Sequence, residues 1–246
     1  MKMMDVLRRV VVGATIVVGP MDPAAADEFD ARRAGLVDEI NAHMRATRDE
    51  TGRASLSECV ERAMRSVPRH RFVPQELARE AYRNHPLPIG HGQTISQPFI
   101  VALMTELADL SPNARVLEVG TGSGYQAAVL AQCAARVYTI EIVRPLGENA
   151  RKVLADLGYA NVEVRIGDGY KGWPDAAPFD AILVTAAPDH VPQPLVDQLA
   201  ASGRMVIPVG TQGGAQHLVV ITKDADGRAI TKRTLAVRFV PLTREK

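Results

Sequence analysis

The fold is decided by one stretch, Val116-Leu117-Glu118-Val119-Gly120-Thr121-Gly122-Ser123-Gly124-Tyr125. Its apolar run predicts a buried strand, three glycines follow at alternate positions, and a helix is predicted from Tyr125. Glycine lets the backbone turn sharply and lets a ligand approach without a Cβ in the way. The N–H groups at the start of the helix would face that ligand, at the strand end where open α/β sheets bind ligands. The stretch therefore predicts a binding cleft.

Outward from this stretch, short apolar runs alternate with helical stretches. The predicted strands are 115–119, 137–141, 162–166, 181–185, 203–209, 218–222 and 234–239, and the predicted helices are 125–133, 146–157 and 192–199. This alternation predicts an α/β fold with a mostly parallel seven-stranded sheet and helices on both faces. The last two strands are separated only by the turn signal Ala225-Asp226-Gly227, which predicts a C-terminal antiparallel hairpin.

Helices precede the sheet. They are predicted at 30–48, 57–67, 76–82 and 98–109. The segment 85–97 is predicted to be irregular because Pro86, Pro88, Gly90 and Gly92 interrupt it. We expect a single domain over 27–246, with N-terminal helices and a substrate segment at 27–110 and the cofactor-binding sheet at 111–246.

The first 26 residues form a separate extension. Basic residues, an apolar run at 10–18 and small residues near Ala26 follow one another, which is the outline of a secretory signal. The run is too short for an ordinary transmembrane helix. The alternatives are an upstream start codon or a loosely ordered extension.

Composition excludes several classes of protein. Of 246 residues, 46% are apolar and 23% charged, which permits a packed core. A net charge of +1 and only 4% aromatic residues offer no case for nucleic acid or an anionic membrane as a partner. The only cysteines, Cys59 and Cys133, cannot build a disulfide scaffold or a four-thiolate zinc site, and we expect two reduced thiols on two helices.

The spacing of polar residues indicates the ligand. A dinucleotide fingerprint has the spacing G-x-G-x-x-G, whereas here the third glycine comes one residue early. Glu141 ends the second strand, where an acid can receive ribose hydroxyls, and Asp168-Gly169 follows the third strand, where it can meet an adenine edge. With Glu118 before the loop, the pattern favours S-adenosylmethionine over NAD, because a methionine tail carries an ammonium and a carboxylate rather than a pyrophosphate.

Methyl transfer from a sulfonium requires alignment of the nucleophile with the methyl carbon. A carboxylate nucleophile needs no general base because it is ionised at neutral pH, whereas an amine or hydroxyl usually needs deprotonation. After the fourth strand the chain reads Val184-Thr185-Ala186-Ala187-Pro188 and lacks the Asp/Asn-Pro-Pro-aromatic tetrapeptide used for amino groups of bases. This argues against a base-amine methyltransferase.

Several segments, in order, resemble the protein-L-isoaspartate O-methyltransferase family. Besides the glycine loop they are Pro68–Pro74, Gly92–Pro98, Gly167–Gly169, Phe179–Ile182, Thr185–Pro188, Gly203–Gly210 and Val237–Leu242. The resemblance covers about Val67 to Leu242, and residues 1 to about 50 fall outside it. It implies a Rossmann-like S-adenosylmethionine-dependent methyltransferase fold. It also implies methylation of the α-carboxylate of L-isoaspartyl residues, yielding S-adenosylhomocysteine and an ester that cyclises to a succinimide and hydrolyses partly to aspartate.

The resemblance also implies site residues. Ser96 would be the active-site hydroxyl, donating a hydrogen bond to one carboxylate oxygen. Thr94, Ile95 and Gln97 would shape a lid over the cleft and contact the substrate. The cofactor-binding set would be Glu118, Gly120, Thr121, Gly122, Ser123, Gly124, Glu141, Asp168 and Gly169. On spacing alone, Ser96 could instead be only the N-cap of the helix at Pro98. No metal is expected, because the histidines lack ligand spacing.

Three other functions compete with this interpretation. They are methylation of another carboxylate or hydroxyl substrate, non-catalytic nucleoside binding and dehydrogenation. The Thr94–Pro98 segment argues against the first, the glycines and acids against the second, and the glycine spacing against the third. We expect isoaspartyl proteins and peptides as partners, no nucleic acid, no stable membrane association and a monomer. The expected location is the cytoplasm, or the periplasm if residues 1–26 are a cleaved signal.

Overall fold

The computed structural model describes residues 23–224 and 226–244. The helices are α1 (Pro23–Ala46), α2 (Arg48–Thr51), α3 (Glu58–Ser66), α4 (Pro98–Ala108), α5 (Tyr125–Ala131), α6 (Arg144–Asp156) and α7 (Gln193–Asp197). The strands are β1 (Leu87–Gly90), β2 (Gln93–Ile95), β3 (Arg115–Val119), β4 (Arg136–Glu141), β5 (Val162–Ile166), β6 (Phe179–Val184), β7 (Leu199–Val209), β8 (Gln216–Lys223) and β9 (Ala229–Val237). Short 3₁₀ turns lie at Arg69–Phe72, Gln75–Glu80, Gly169–Lys171 and Pro174–Ala176.

The main sheet has seven strands in the order β5-β4-β3-β6-β7-β8-β9. The pairs from β5 to β7 are parallel, and β8 runs antiparallel to both β7 and β9. This confirms the predicted Rossmann-like architecture, a mostly parallel seven-stranded sheet that ends in an antiparallel hairpin. Because β4 and β6 flank β3 on opposite sides, the carboxyl end of β3 is the point where the strand order reverses, and such points form binding crevices.

Helix α4 joins the N-terminal helices to the sheet. It contacts α1 and α3 on one side and β6 and β7 on the other, and every residue of it except Ile100 is buried. Its one acidic side chain, Glu106, accepts a hydrogen bond from the Ser57 N–H at 2.7 Å, which satisfies a buried polar group. Residues of the N-terminal helices and of one sheet face thus share one hydrophobic cluster.

Contrary to the expectation from the sequence, the two cysteines are not reduced thiols. Cys59 near the start of α3 and Cys133 just after α5 form a disulfide, with their Cα atoms 5.8 Å apart. The two helices contact each other, which brings residues 74 positions apart together. Composition excludes a scaffold of several disulfides, but it carries no information about whether two distant cysteines meet.

Two other expectations need correction. The segment 85–97 is not irregular, because β1 and β2 pair as an antiparallel hairpin with Leu87 opposite Ile95. The last strand begins earlier than predicted, at Ala229, because its first residues face solvent and carry no apolar pattern. The signal-like interpretation of residues 1–26 lies largely outside the described residues. None of the helices in the described residues combines the length and the hydrophobicity that a membrane span requires.

Candidate active site

The glycine loop after β3 approaches the end of β6 too closely for a side chain. At Gly120 φ is +101°, and a Cβ would lie 2.5 Å from the Thr185 hydroxyl oxygen. That hydroxyl donates to the Gly120 carbonyl, with an oxygen–oxygen distance of 2.6 Å. Only glycine combines this backbone conformation with this approach. The Thr185 side chain therefore holds the loop against β6, and the lack of a side chain at Gly120 leaves room for this approach.

Glu141, at the end of β4, braces the same loop. Its Oε2 accepts the Gly122 N–H at 2.7 Å and its Oε1 accepts the Val143 N–H at 2.8 Å. The side chain is buried and lines the cleft. Each carboxylate oxygen keeps a further acceptor position, so Glu141 can also accept hydrogen bonds from ribose hydroxyls.

Glu118 lies deeper, on β3, and is completely buried. Its Oε2 accepts a hydrogen bond from the Thr139 hydroxyl at 2.5 Å, and Thr139 is in turn 2.6 Å from the Thr121 hydroxyl. Its Oε1 has no hydrogen-bond partner among the described residues. Burial raises the pKa of Glu118 to about 8, against the opposing effect of the Thr139 hydrogen bond, and the nearby Glu141 raises it further.

The β1–β2 hairpin also approaches the glycine loop. At Gly122 a Cβ would lie 3.4 Å from the Ile89 side chain, so the hairpin reaches the loop. The chain continues from β2 into Ser96, which is half-buried and lines the cleft. The N-cap of α4 is Gln97 rather than Ser96, so the capping interpretation of Ser96 was wrong. No described residue forms a hydrogen bond with the Ser96 hydroxyl, which therefore remains available to a ligand.

A second groove opens beside the cleft, with a volume of about 1120 Å³. It is lined by Pro86, Phe99 and the segment 235–241, among others. Thr94, Ser96 and Thr185 line both the cleft and the groove. A molecule in the groove can therefore reach Ser96 and the cleft together.

The structure brings ten of the thirteen predicted site residues into the cleft. They are Thr94, Ile95, Ser96, Glu118, Gly120, Thr121, Gly122, Ser123, Glu141 and Gly169. Gln97 lines the groove instead, and Gly124 packs against Leu154 and Ala150 of α6. The Asp168 carboxylate accepts the Tyr170 N–H at 2.9 Å and caps the 3₁₀ turn that presents Gly169.

Sequence reasoning assigned no role to other residues of the cleft. Thr185, Gln126 and the segment 240–243 line it as well. The segments Thr185–Pro188 and Val237–Leu242, which resemble the family, could have indicated Thr185 and the segment 240–243. The segment 240–243 reaches the cleft because the Ala187 N–H donates to the Val240 carbonyl at 2.8 Å and the Leu242 N–H to the Ala187 carbonyl at 2.9 Å.

The charges of the cleft fit a cationic ligand. Its titratable lining residues are Glu118, Glu141 and Tyr125, and no Lys, Arg or His of the described chain is among the lining residues. A pyrophosphate would meet two carboxyl groups and no cation there, whereas S-adenosylmethionine brings an ammonium and a sulfonium. No group of three or more His, Cys, Asp or Glu in residues 23–224 and 226–244 is arranged to hold a metal ion.

The comparisons with known proteins agree with this geometry. The sequence profile of the family Protein-L-isoaspartate(D-aspartate) O-methyltransferase (PCMT) matches residues 41–246. "Protein-L-isoaspartate O-methyltransferase 2" of Polaromonas sp. is 59% identical over 86% of this chain and 100% of its own length. "Protein-L-isoaspartate O-methyltransferase 1" of Nitrosospira multiformis is 55% identical over 94% of each chain.

A solved structure from Plasmodium falciparum is also similar; it is described as "a putative protein-L-isoaspartate O-methyltransferase beta-aspartate methyltransferase (PCMT)" in complex with S-adenosyl-L-homocysteine. It superposes with a TM-score of 0.72 at 25% sequence identity, over 88% of this chain and 99% of that one. The profile spans most of the described chain, and the curated relatives match along nearly their whole length. This chain therefore belongs to the protein-L-isoaspartate(D-aspartate) O-methyltransferase family.

Proposed function

We infer that this chain transfers a methyl group from S-adenosylmethionine to the α-carboxylate of L-isoaspartyl residues in damaged proteins and peptides. The observation that carries the inference is the position of Ser96, whose unpaired hydroxyl lies where the acidic cleft meets the larger groove. The cofactor supplies an activated methyl group and a neutral leaving group. The protein's task is to align the two reactants and to exclude water.

The described cleft offers no general base, which suits a carboxylate nucleophile. No His or Lys of the described chain lines it beside Ser96, and its two carboxyls face the loop and the sheet. An isoaspartyl α-carboxylate is already ionised at neutral pH and needs no proton removed. A hydroxyl substrate would need that help, so the chemistry favours the carboxylate over the alternative of a hydroxyl acceptor.

We propose that Ser96 donates a hydrogen bond to one oxygen of the substrate carboxylate and so directs the other oxygen towards the methyl group. Thr94 and Gln97 then contact the peptide, and Ile95, which is buried, anchors the segment to the core. Hydrogen bonds to a charged partner contribute about 1.5–3 kcal/mol. Ser96 acts by positioning, without a covalent intermediate.

On the cofactor side, we propose that the loop Gly120–Gly124 holds the methionine portion and ribose. Thr121 and Ser123 belong to that loop, Glu118 lies beneath it, Glu141 accepts the ribose hydroxyls, and Gly169 with Asp168 faces the adenine. The two carboxyls and the narrow approach at Gly120 support this placement. We treat 27–246 as one methyltransferase domain, in which 27–110 supplies the substrate side and 111–246 the cofactor sheet.

The test is methyl transfer from labelled S-adenosylmethionine to two peptides that differ only in carrying isoaspartate or aspartate at one position. Base-labile label on the isoaspartyl peptide alone is the expected result. Equal labelling of both peptides would contradict the substrate, and base-stable label would contradict the carboxylate as nucleophile. Absence of label with cofactor binding intact would favour another carboxylate or hydroxyl substrate.

We propose that the enzyme acts as a monomer, without nucleic acid or stable membrane association, in the cytoplasm where its cofactor is made. The Cys59–Cys133 disulfide favours a second location, since disulfides persist mainly in oxidising compartments such as the periplasm. Cell fractionation with alkylation of free thiols distinguishes the two locations. Alkylated cysteines in the cytoplasmic fraction support the first, and a truncated, disulfide-bonded periplasmic form supports the second.

A further inference from the structure

One wall of the groove continues past the end of the sheet. Strand β9 ends at Val237, which lies opposite Gln216, the first residue of β8. The next residues, 238–241, also line the groove, although β8 provides no strand residue opposite them. Backbone N–H and C=O groups that are shielded from water need hydrogen-bond partners. This wall therefore needs partners from outside the strand ladder.

Gln216 provides them from its side chain, which is buried. Its Oε1 accepts the Phe239 N–H at 2.6 Å, and its Nε2 donates to the Phe239 carbonyl at 3.3 Å. A primary amide carries a donor and an acceptor side by side, so it can pair with both polar groups of one backbone residue. These two hydrogen bonds, which we call the Gln216 clamp, extend the ladder past the end of β8.

The residues around the clamp are held by other contacts. Gly210 lies so close to Gln216 that a Cβ there would be 2.8 Å from the Gln216 Cα, and the Gly210 N–H donates to the Pro188 carbonyl at 3.0 Å. Further along the wall, the segment 240–242 is attached separately, by backbone hydrogen bonds to Ala187. Backbone contacts thus hold the end of the wall that reaches the cleft, whereas a side chain holds the part that lies in the groove.

We propose that Gln216 is a positioning residue for the substrate peptide, because its clamp keeps the segment 238–241 in the shape that receives the peptide before the peptide binds. Without the clamp the peptide would have to order this segment on binding, and such ordering lowers affinity. The inference rests on the proposed function, since it takes the molecule in the groove to be the isoaspartyl peptide. Gln216 lines the groove but not the cleft, so the transfer step should be nearly unaffected once the peptide is bound.

The experiment is steady-state methylation of an isoaspartyl peptide by the full chain at saturating S-adenosylmethionine. Gln216→Met keeps the length of the side chain and removes both hydrogen bonds, whereas Gln216→Glu keeps the acceptor for the Phe239 N–H. The matched control is Gln198→Met. Gln198 is also buried, and its amide also makes two hydrogen bonds to the backbone, with the Trp173 N–H and the Lys171 carbonyl, but it lines neither the cleft nor the groove.

The two glutamine positions should differ in KM for the peptide. We expect KM to rise about tenfold in Gln216→Met, which corresponds to the contribution of about one hydrogen bond, and to rise by less in Gln216→Glu. Both kcat and the affinity for S-adenosylhomocysteine should change by less than about twofold, because the backbone bonds to Ala187 remain. Gln198→Met should lose similar stability in urea titrations and keep the wild-type KM.

An unchanged KM in Gln216→Met would overturn the proposal. An equal rise in Gln198→Met would do so too, because a general loss of packing would then explain the effect. If Gln216→Met does not fold, hydrogen exchange of the wild type replaces it. The Phe239 amide should be protected in the peptide-free enzyme, and protection that arises only after the peptide binds would refute the proposal. Absence of methylation by the wild type would refute the proposed function, whereas wild-type methylation with an unchanged KM in Gln216→Met refutes this inference alone.

Discussion

On the sheet side of the cleft the polar side chains form hydrogen bonds within the protein, whereas on the hairpin side they form none within the described chain. Glu141 and Thr185 both bond to the backbone at the glycine loop. Across the cleft, Thr94, Ser96 and Gln97 make no side-chain hydrogen bonds to other residues within the described chain. One ligand of constant structure suits a preformed site, whereas damaged peptides of varied sequence suit a side whose hydrogen-bonding groups are unpaired.

The largest effect should come from breaking the disulfide that joins α3 to the end of α5, outside both sides of the cleft. The Cys59–Cys133 disulfide closes a segment with a sequence separation of 74, for which chain entropy gives a stabilisation of about 4 kcal/mol. Reduction, or Cys59→Ser with Cys133→Ser, should lower the free energy of unfolding by about that amount in urea titrations. The affinity for S-adenosylhomocysteine should stay within about twofold, because neither cysteine lines the cleft. Equal stability with and without reductant would contradict a stabilising role.

Cofactor binding on the preformed side should weaken when a side chain blocks the close approach between Gly120 and Thr185. Gly120→Ala places a Cβ against the Thr185 hydroxyl and should reduce affinity for the cofactor by about 100-fold, or about 3 kcal/mol. Gly227→Ala is the matched control, since Gly227 also has positive φ but a Cβ there meets no atom of the described residues within 4 Å. Equal affinities of the two variants in calorimetry would contradict the close approach at Gly120 as a requirement for cofactor binding.

The buried acid of the preformed side should make the cofactor-free protein sensitive to pH. The folded pKa of Glu118, about 8, exceeds the ordinary value of 4.5, so the folded state binds more protons between these values. Stability should therefore fall as pH rises, by about 2 kcal/mol from pH 6 to pH 8, and this part should vanish in Glu118→Gln. Chemical denaturation across this range measures it, and an identical slope in the variant would exclude Glu118 as its source.

A substitution on the hairpin side should lower turnover and leave cofactor binding unchanged. Ser96→Ala removes one hydrogen bond to a charged substrate and should lower kcat about 10- to 100-fold, with cofactor affinity unchanged. Steady-state kinetics with an isoaspartyl peptide, together with calorimetry for the cofactor, separate these quantities. Wild-type kcat in the variant would remove Ser96 from the mechanism.

The smallest effect is expected at the border of the preformed side. Asp168→Ala removes the cap that presents Gly169 to the cleft and should weaken cofactor binding by about 1 kcal/mol, the usual contribution of such a cap. Asp156→Ala, on the exposed end of α6, is the control. An unchanged dissociation constant for Asp168→Ala would refute the placement of Asp168 on the adenine side.

Local patterns predicted much of the fold. The strand 115–119 and the helix start at Tyr125 were predicted at their observed positions, because apolar runs and glycines act over a few residues. The β1–β2 hairpin was missed because Pro88 and Gly90 weaken strand propensity, yet pairing with β2 overrides it. The start of β9 was missed because an edge strand that faces solvent needs no apolar alternation.

Residue types and their spacing along the chain were enough to predict the sheet and the glycine loop, and to propose the acids and Ser96 as site residues. The folded chain reveals that Cys59 pairs with Cys133, that Thr185 holds Gly120 and that one oxygen of Glu118 has no partner among the described residues. These depend on contacts between residues distant in sequence and on burial, which shifts a pKa through the surroundings of a group rather than its neighbours in the chain.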